Sequence, residues 1–398
     1  MKAKKDRRLR ILWNSNAPWA ASGYGVQTKD LLYRFLKDDW KVGCVCFYGL
    51  EGGFLNLNGL PCFPKVGQPY GGDAMLLHSN EFKADVVITF QDIWPVDANA
   101  LFTMASQRKW IPYVPIDWFP VPDNIYHRLK HAYRIITFSK AGQKALQDRG
   151  LQSDLILEAT DTDIFKPMDK KKIRKELNIP QDIFLFGMVA ANKDNPPRKS
   201  FQHCMDAFAR FHKAHPKSGL YFQTMLEQQG GFNIRQYANH LGIQKCIYYP
   251  PPYDLLYKSP HEVVAKIINT FDVLLNPSNS EGFGLPIIES QSCGVPVIVN
   301  DWASMPELTI EGKTGLIIKG GYKMWTPINS YKLLPDLESL YENMEKIYRM
   351  DRKKMAVACR KHIVENYDMN DRVRDSWIPY FCKIQKEILS EQPIIKTR

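Results

Sequence analysis

The stretch that decides the reading is Glu281-Gly-Phe-Gly-Leu-Pro-Ile-Ile-Glu289, preceded by Asp272-Val-Leu-Leu-Asn-Pro-Ser-Asn-Ser280 and followed by Ser290-Gln-Ser-Cys-Gly-Val-Pro296. The apolar run Val273–Asn276 reads as a buried strand that leaves the core into a polar loop. A short helix, predicted over Pro286–Cys293, begins at Pro286, where a missing N–H costs nothing, and stops at Gly294. Gly282 and Gly284 let the backbone come close to a ligand and expose amide donors. Those amides and the helix N-terminus behind them suit a diphosphate or sugar hydroxyls. Glu281 lies before the loop, facing the cleft, and Glu289, about one helical turn inside the helix, is placed to accept two hydroxyls from a ribose.

Outward from this stretch the same alternation repeats. Strands are predicted at Arg10–Asn14, Val42–Phe47, Asp85–Phe90, Trp110–Val114 and Arg134–Phe138 in the first half. In the second they are predicted at Phe184–Val189, Leu220–Thr224, Ile247–Tyr249, Val273–Asn276, Val295–Asn300 and Gly315–Ile318. Helical segments at Gln27–Leu36, Ala141–Asp148, Phe201–Lys213, Asn233–Leu241 and from about Leu337 onward lie between or after them. Strand and helix in alternation mean parallel α/β units, and two sets with a break near Asp161–Asn178 mean two doubly wound sheets facing a cleft. The expected division is 1–165, 166–372 and a closing helix over 373–398.

With 398 residues, 44% hydrophobic and 24% charged, the chain has ordinary globular composition and exceeds one domain. Eight scattered cysteines read as reduced thiols, and no apolar run reaches the roughly 20 residues of a membrane span. The expectation is a cytoplasmic protein, peripheral at a membrane or, if viral, in the cytoplasm of an infected host. A net charge of +11, densest at the N-terminal tip and Lys170-Lys171-Lys172, suits an anionic partner such as nucleic acid or an acidic membrane face. A basic surface that only keeps the protein dissolved is the alternative. No metal is expected, since the nine histidines show no ligand spacing and Asp161-Thr-Asp163 sits at the interdomain turn rather than after a nucleotide-binding strand. The dinucleotide fingerprint, P-loop and Gly-x-Ser-x-Gly are absent.

The Glu-x7-Glu segment resembles the signature of the retaining family-four ("group one") glycosyltransferases. Its sequel through Pro296, Pro306-Glu307-Leu308 and Gly312-Lys-Thr-Gly-Leu-Ile-Ile318 resembles that family in order. Gly23-Tyr24-Gly25 is similar to the family's N-terminal glycine loop. Thr160–Phe165 is similar to its interdomain turn, with Ala159-Thr160 in place of Gly-Val. The resemblance implies a GT-B fold and a nucleotide-sugar donor held by Gly23, Gly25, Glu281, Gly282, Phe283, Gly284, Leu285 and Glu289. It implies Lys199 against the diphosphate with Arg198 as substitute for the family arginine, whose usual place holds Ala191 and Asn192. Glu281 is expected at the sugar, Glu289 at the ribose and Asp117, ahead of Asp92, near the transferred group. It further implies metal-free transfer with retention. Glucosylation of hydroxymethylated DNA bases, a non-catalytic nucleotide-sugar binder and a sugar-nucleotide epimerase are the alternatives.

Overall fold

A computed structural model describes residues 8–391. Most of the basic N-terminal tip and the last seven residues of the predicted closing segment lie outside the described residues. The first sheet holds β1 (Arg10–Asn16), β2 (Lys41–Tyr48), β3 (Leu55–Leu57), β4 (Leu60–Pro64), β5 (Val86–Phe90), β6 (Lys109–Val114), β7 (Ile136–Thr137) and β8 (Asp154–Leu155). Their spatial order is β3-β4-β2-β1-β5-β6-β7-β8, all parallel except the β3–β4 pair. The second sheet holds β9 (Phe184–Val189), β10 (Ser218–Gln223), β11 (Ile247–Tyr248), β12 (Val273–Asn276), β13 (Val297–Asn300) and β14 (Gly315–Ile318). Its order is β11-β10-β9-β12-β13-β14, parallel throughout. A separate hairpin follows, β15 (Tyr322–Thr326) and β16 (Ser330–Leu334).

The central strands β1, β5, β9, β12 and β13 are buried on both faces, which is why they read as continuous apolar runs rather than alternating ones. Three features depart from the sequence expectation. The first sheet has eight strands rather than five, because β3, β4 and the two-residue β8 extend its edges. The hairpin β15–β16 was not expected. The helix of the deciding segment runs Leu285–Ser292, so Pro286 takes its second position, where the N–H would be equally unpaired.

The chain crosses between the sheets twice at one place. Thr160 on the way out and Asp368 on the way back form a parallel bridge, with Thr160 N donating to Tyr367 O at 2.9 Å. Beyond the second crossing the helix Ile378–Glu391 lies against the first sheet. Phe381 packs on Phe35 and Trp40 at ring separations of 4.9 and 5.1 Å, and fully buried Trp377 sits 5.6 Å from Trp13.

Candidate active site

The deciding segment leaves β12 and comes to rest against the other sheet. At Gly284 φ is +109°, a conformation that side-chain-bearing residues rarely adopt, and this residue caps the helix Leu285–Ser292. A Cβ on Gly282 would come within 2.4 Å of the Pro115 Cβ in the first domain. Ser280 Oγ donates to Asp117 O, and the Trp302 indole N–H donates to the same oxygen at 3.3 Å. The Glu307 carboxylate accepts from the backbone N–H groups of Lys140 and Ala141 at 2.9 and 2.6 Å. A second-domain acid thus caps a first-domain helix.

Two helix N-termini meet across this junction. The helix Gly23–Lys37 begins at Gly23, whose added Cβ would touch Leu285 Cδ1 at 3.4 Å. Gly25 is buried behind it, and Ser22 caps the helix through the Gly25 N–H. Each terminus presents unpaired amides and a positive dipole end.

Beside them stands an ionic cluster. Glu281 is buried and pairs with Lys199 through one carboxylate oxygen and with Arg198 Nη1, at 3.3 Å, through the other. Arg198 also donates to Ser280 O. Burial alone would raise the Glu281 carboxyl, but the two cations outweigh it and hold it at about 2. The same burial lowers the Lys199 ammonium against the pull of Glu281, while Arg198 is held more firmly charged by Glu281 and Asp117 despite its burial. Asp117 is raised to about 6 by burial, with Asp92 adding to the rise and Arg198 opposing it. Asp92, also raised by burial, accepts from the Tyr24 hydroxyl at 3.1 Å. The position where the resemblance puts an arginine holds buried Asn192. Its amide is consumed by Met225 O, Phe232 O and the Phe232 N–H, fixing the loop after β10.

The carboxyl of buried Glu289 makes no hydrogen bond among the described residues, and it lies by two acids that sequence reading missed. Burial raises Glu289 to about 8, with a further push from Asp30, and raises Glu158 to about 8, with a further push from Glu289. Asp30 comes from the helix Gly23–Lys37 and Glu158 from the approach to the first crossing, so only the fold assembles the trio. Asp161, by contrast, is occupied structurally, pairing with Arg34 at 2.7 Å and capping its own turn.

Residues 169–326 match the family model described as glycosyl transferases group 1. That match lies within the second domain. A curated relative, the D-inositol 3-phosphate glycosyltransferase of Acidothermus cellulolyticus, is 26% identical over 202 residues, which are 48% of this chain and 43% of the relative. The chain thus spans less than half the length of the curated relatives it matches. The whole fold is that of GT-B glycosyltransferases. Sucrose-phosphate synthase from Thermosynechococcus elongatus superposes with a TM-score of 0.76 at 15% identity, covering 97% of this chain and all of that one. Anabaena HepE in complex with UDP-glucose superposes with a TM-score of 0.69 at 15% identity, covering 96% of this chain and all of that one. Among the described residues, no helix is long and apolar enough to cross a membrane.

Proposed function

We propose that this protein is a retaining glycosyltransferase that moves a hexosyl group from a nucleotide sugar to an acceptor hydroxyl without a metal ion. The observation that carries this reading is the meeting of two helix N-termini beside Lys199 and Arg198, an arrangement suited to a diphosphate. HepE, of the same fold, has been crystallised in complex with UDP-glucose. Glu289 lies about one turn into the helix Leu285–Ser292 and would take ribose hydroxyls. Glu281, ionised at any physiological pH, would accept a hydroxyl of the donor sugar and cannot serve as a general acid.

In this reading the C1–O bond to the diphosphate breaks first and leaves an oxocarbenium-like sugar. The departing oxygen gains negative charge, which the two cations and the backbone amides stabilise. The acceptor hydroxyl attacks the same face, forms the new C1–O bond and passes its proton to the departing phosphate. Closure of the two domains excludes water and protects the donor from hydrolysis.

Lys199→Ala tests the assignment. Loss of one preorganised donor to a developing charge costs on the order of 10²–10³ in kcat. Nucleotide binding, read as a rise in melting temperature, should survive in the variant. If no nucleotide or nucleotide sugar stabilises the wild-type protein, or if a chelator abolishes transfer, the reading fails. The anomeric configuration of the product, read by NMR, decides retention.

A further inference from the structure

The acceptor side of the cleft is formed by the loops that leave the carboxyl ends of the first sheet's strands, where ligands of open α/β sheets lie. These are residues 17–22 after β1, 49–54 after β2, 65–71 after β4, 91–97 after β5 and 115–122 after β6. The chain as a whole is strongly basic, yet these loops carry Glu51, Asp92, Asp97 and Asp117 against a single lysine, Lys65. That lysine is already paired with Glu51 at 2.6 Å. Of the cations across the cleft, Arg198 and Lys199 belong to the donor domain and are held by Glu281. A phosphate-bearing acceptor on these loops would meet a field of its own sign.

The same loops, with Tyr48 at the end of β2, hold an unusual share of exposed rings. Trp19, Tyr48, Phe54, Tyr70 and Trp94 are between 40% and 59% exposed, whereas Trp13, Trp40, Trp110 and Trp377 are fully buried. Some of the exposed rings are pinned: the Trp19 indole N–H donates to Gly49 O at 2.9 Å, Tyr70 packs beside Phe47 and Phe54 beside Phe63. Beneath them, fully buried Asn14 leaves both amide atoms without a partner, and buried Gln91 leaves its Oε1 free. Asn14 lies directly under the 65–71 loop, since a Cβ on Gly71 would come within 2.9 Å of its Oδ1. Exposed, pinned aromatic faces over unsatisfied amides mark a binding surface. Rings that cover the C–H faces of a pyranose, with amides and carboxylates for its hydroxyls and no unpaired lysine or arginine within these five loops, suit one acceptor chemistry.

We propose that the acceptor is an uncharged saccharide lying along these loops, with Trp19, Tyr70 and Trp94 as ring platforms and Asp92 and Asp117 receiving hydroxyls. The proposal rests on the transferase reading and names its acceptor class. It places the protein after a reaction that supplies a neutral glycan rather than a sugar phosphate or a nucleic acid.

The test uses the full chain and whichever UDP-, GDP- or ADP-sugar stabilises it, with neutral oligosaccharides, their phosphorylated counterparts and hydroxymethylated DNA as acceptors. Neutral saccharides should be used at least tenfold better in kcat/KM, with little change on raising the salt. Trp94→Ala and Trp19→Ala should each raise the acceptor KM about tenfold and leave the donor KM unchanged. Leu77→Ala, exposed on a helix outside the loops, should change neither constant. Preference for a phosphorylated sugar, or for DNA with steep loss in salt, would overturn the proposal. So would an unchanged acceptor KM in both tryptophan variants, or no transfer to any neutral saccharide while the donor is still bound and hydrolysed. Failure of every nucleotide sugar to stabilise the protein would instead remove the transferase reading beneath it.

Discussion

Glu281 and Glu289 stand eight positions apart on one short segment and experience opposite fields. Two cations hold Glu281 at about 2, while Glu289, buried beside acids, is raised to about 8. The consequence extends to stability. Glu158 and Glu289 keep their protons in the folded chain up to about pH 8, whereas the ordinary value of 4.5 has them released far earlier on unfolding. Between those limits the folded state binds more protons, so stability falls as the pH rises through that window. Glu158→Gln removes one of the two raised acids and relieves the other. Its melting temperature should exceed that of the wild type by roughly 2–4 °C at pH 8 for each kcal/mol recovered, with the gap closing toward pH 5. A gap of equal size at both values, measured by scanning calorimetry, would mean that the carboxyl is not responsible.

The hairpin β15–β16 adds a further tie between the two domains. The Tyr331 N–H donates to Phe119 O at 2.8 Å and Ser330 Oγ to Pro120 O at 2.7 Å. On its other side the Leu333 N–H reaches Asn279 O, and Asn300 holds Leu333 O at 2.8 Å. Because the Tyr331 N–H points away from β15, Tyr331→Pro removes the strap and spares the hairpin's own pairing. The ratio of donor hydrolysis to transfer should rise several-fold, while Tyr331→Ala, which keeps the N–H, should leave it near the wild-type value. Nothing in Ser330-Tyr-Lys-Leu-Leu334 announces this role, since its partner lies about 200 residues earlier in the other domain. The central strands were legible because burial on both faces writes them as unbroken apolar runs. Exposed β3 and the two-residue β8 were not, because so few residues carry no period. The same division holds at the site. Glu281, Lys199 and Arg198 were singled out from spacing and resemblance, and the structure brings them together. Asp30 and Glu158 come from separate elements and carry no local pattern.

At the scale of the whole molecule the two domains touch through Ser280, Trp302 and Glu307 on one side and Asp117, Lys140 and Ala141 on the other. Gly282 sits in the tightest part of this junction, so Gly282→Ala places a methyl group where Pro115 already is. The domains should then rest further apart. Small-angle scattering would show a larger radius of gyration, and kcat should fall at least tenfold while nucleotide affinity changes little. An unchanged radius together with full activity would mean that the described contact is not the working one. The paired crossings at Thr160 and Asp368 have a wider consequence. The chain leaves the first domain and returns to it through neighbouring residues, then adds the helix Ile378–Glu391 to the sheet it started from. The donor domain is therefore a cassette with a single doorway. On the proposed reading, it could be exchanged for another without cutting the first-domain scaffold, which would change the donor while leaving the acceptor surface intact.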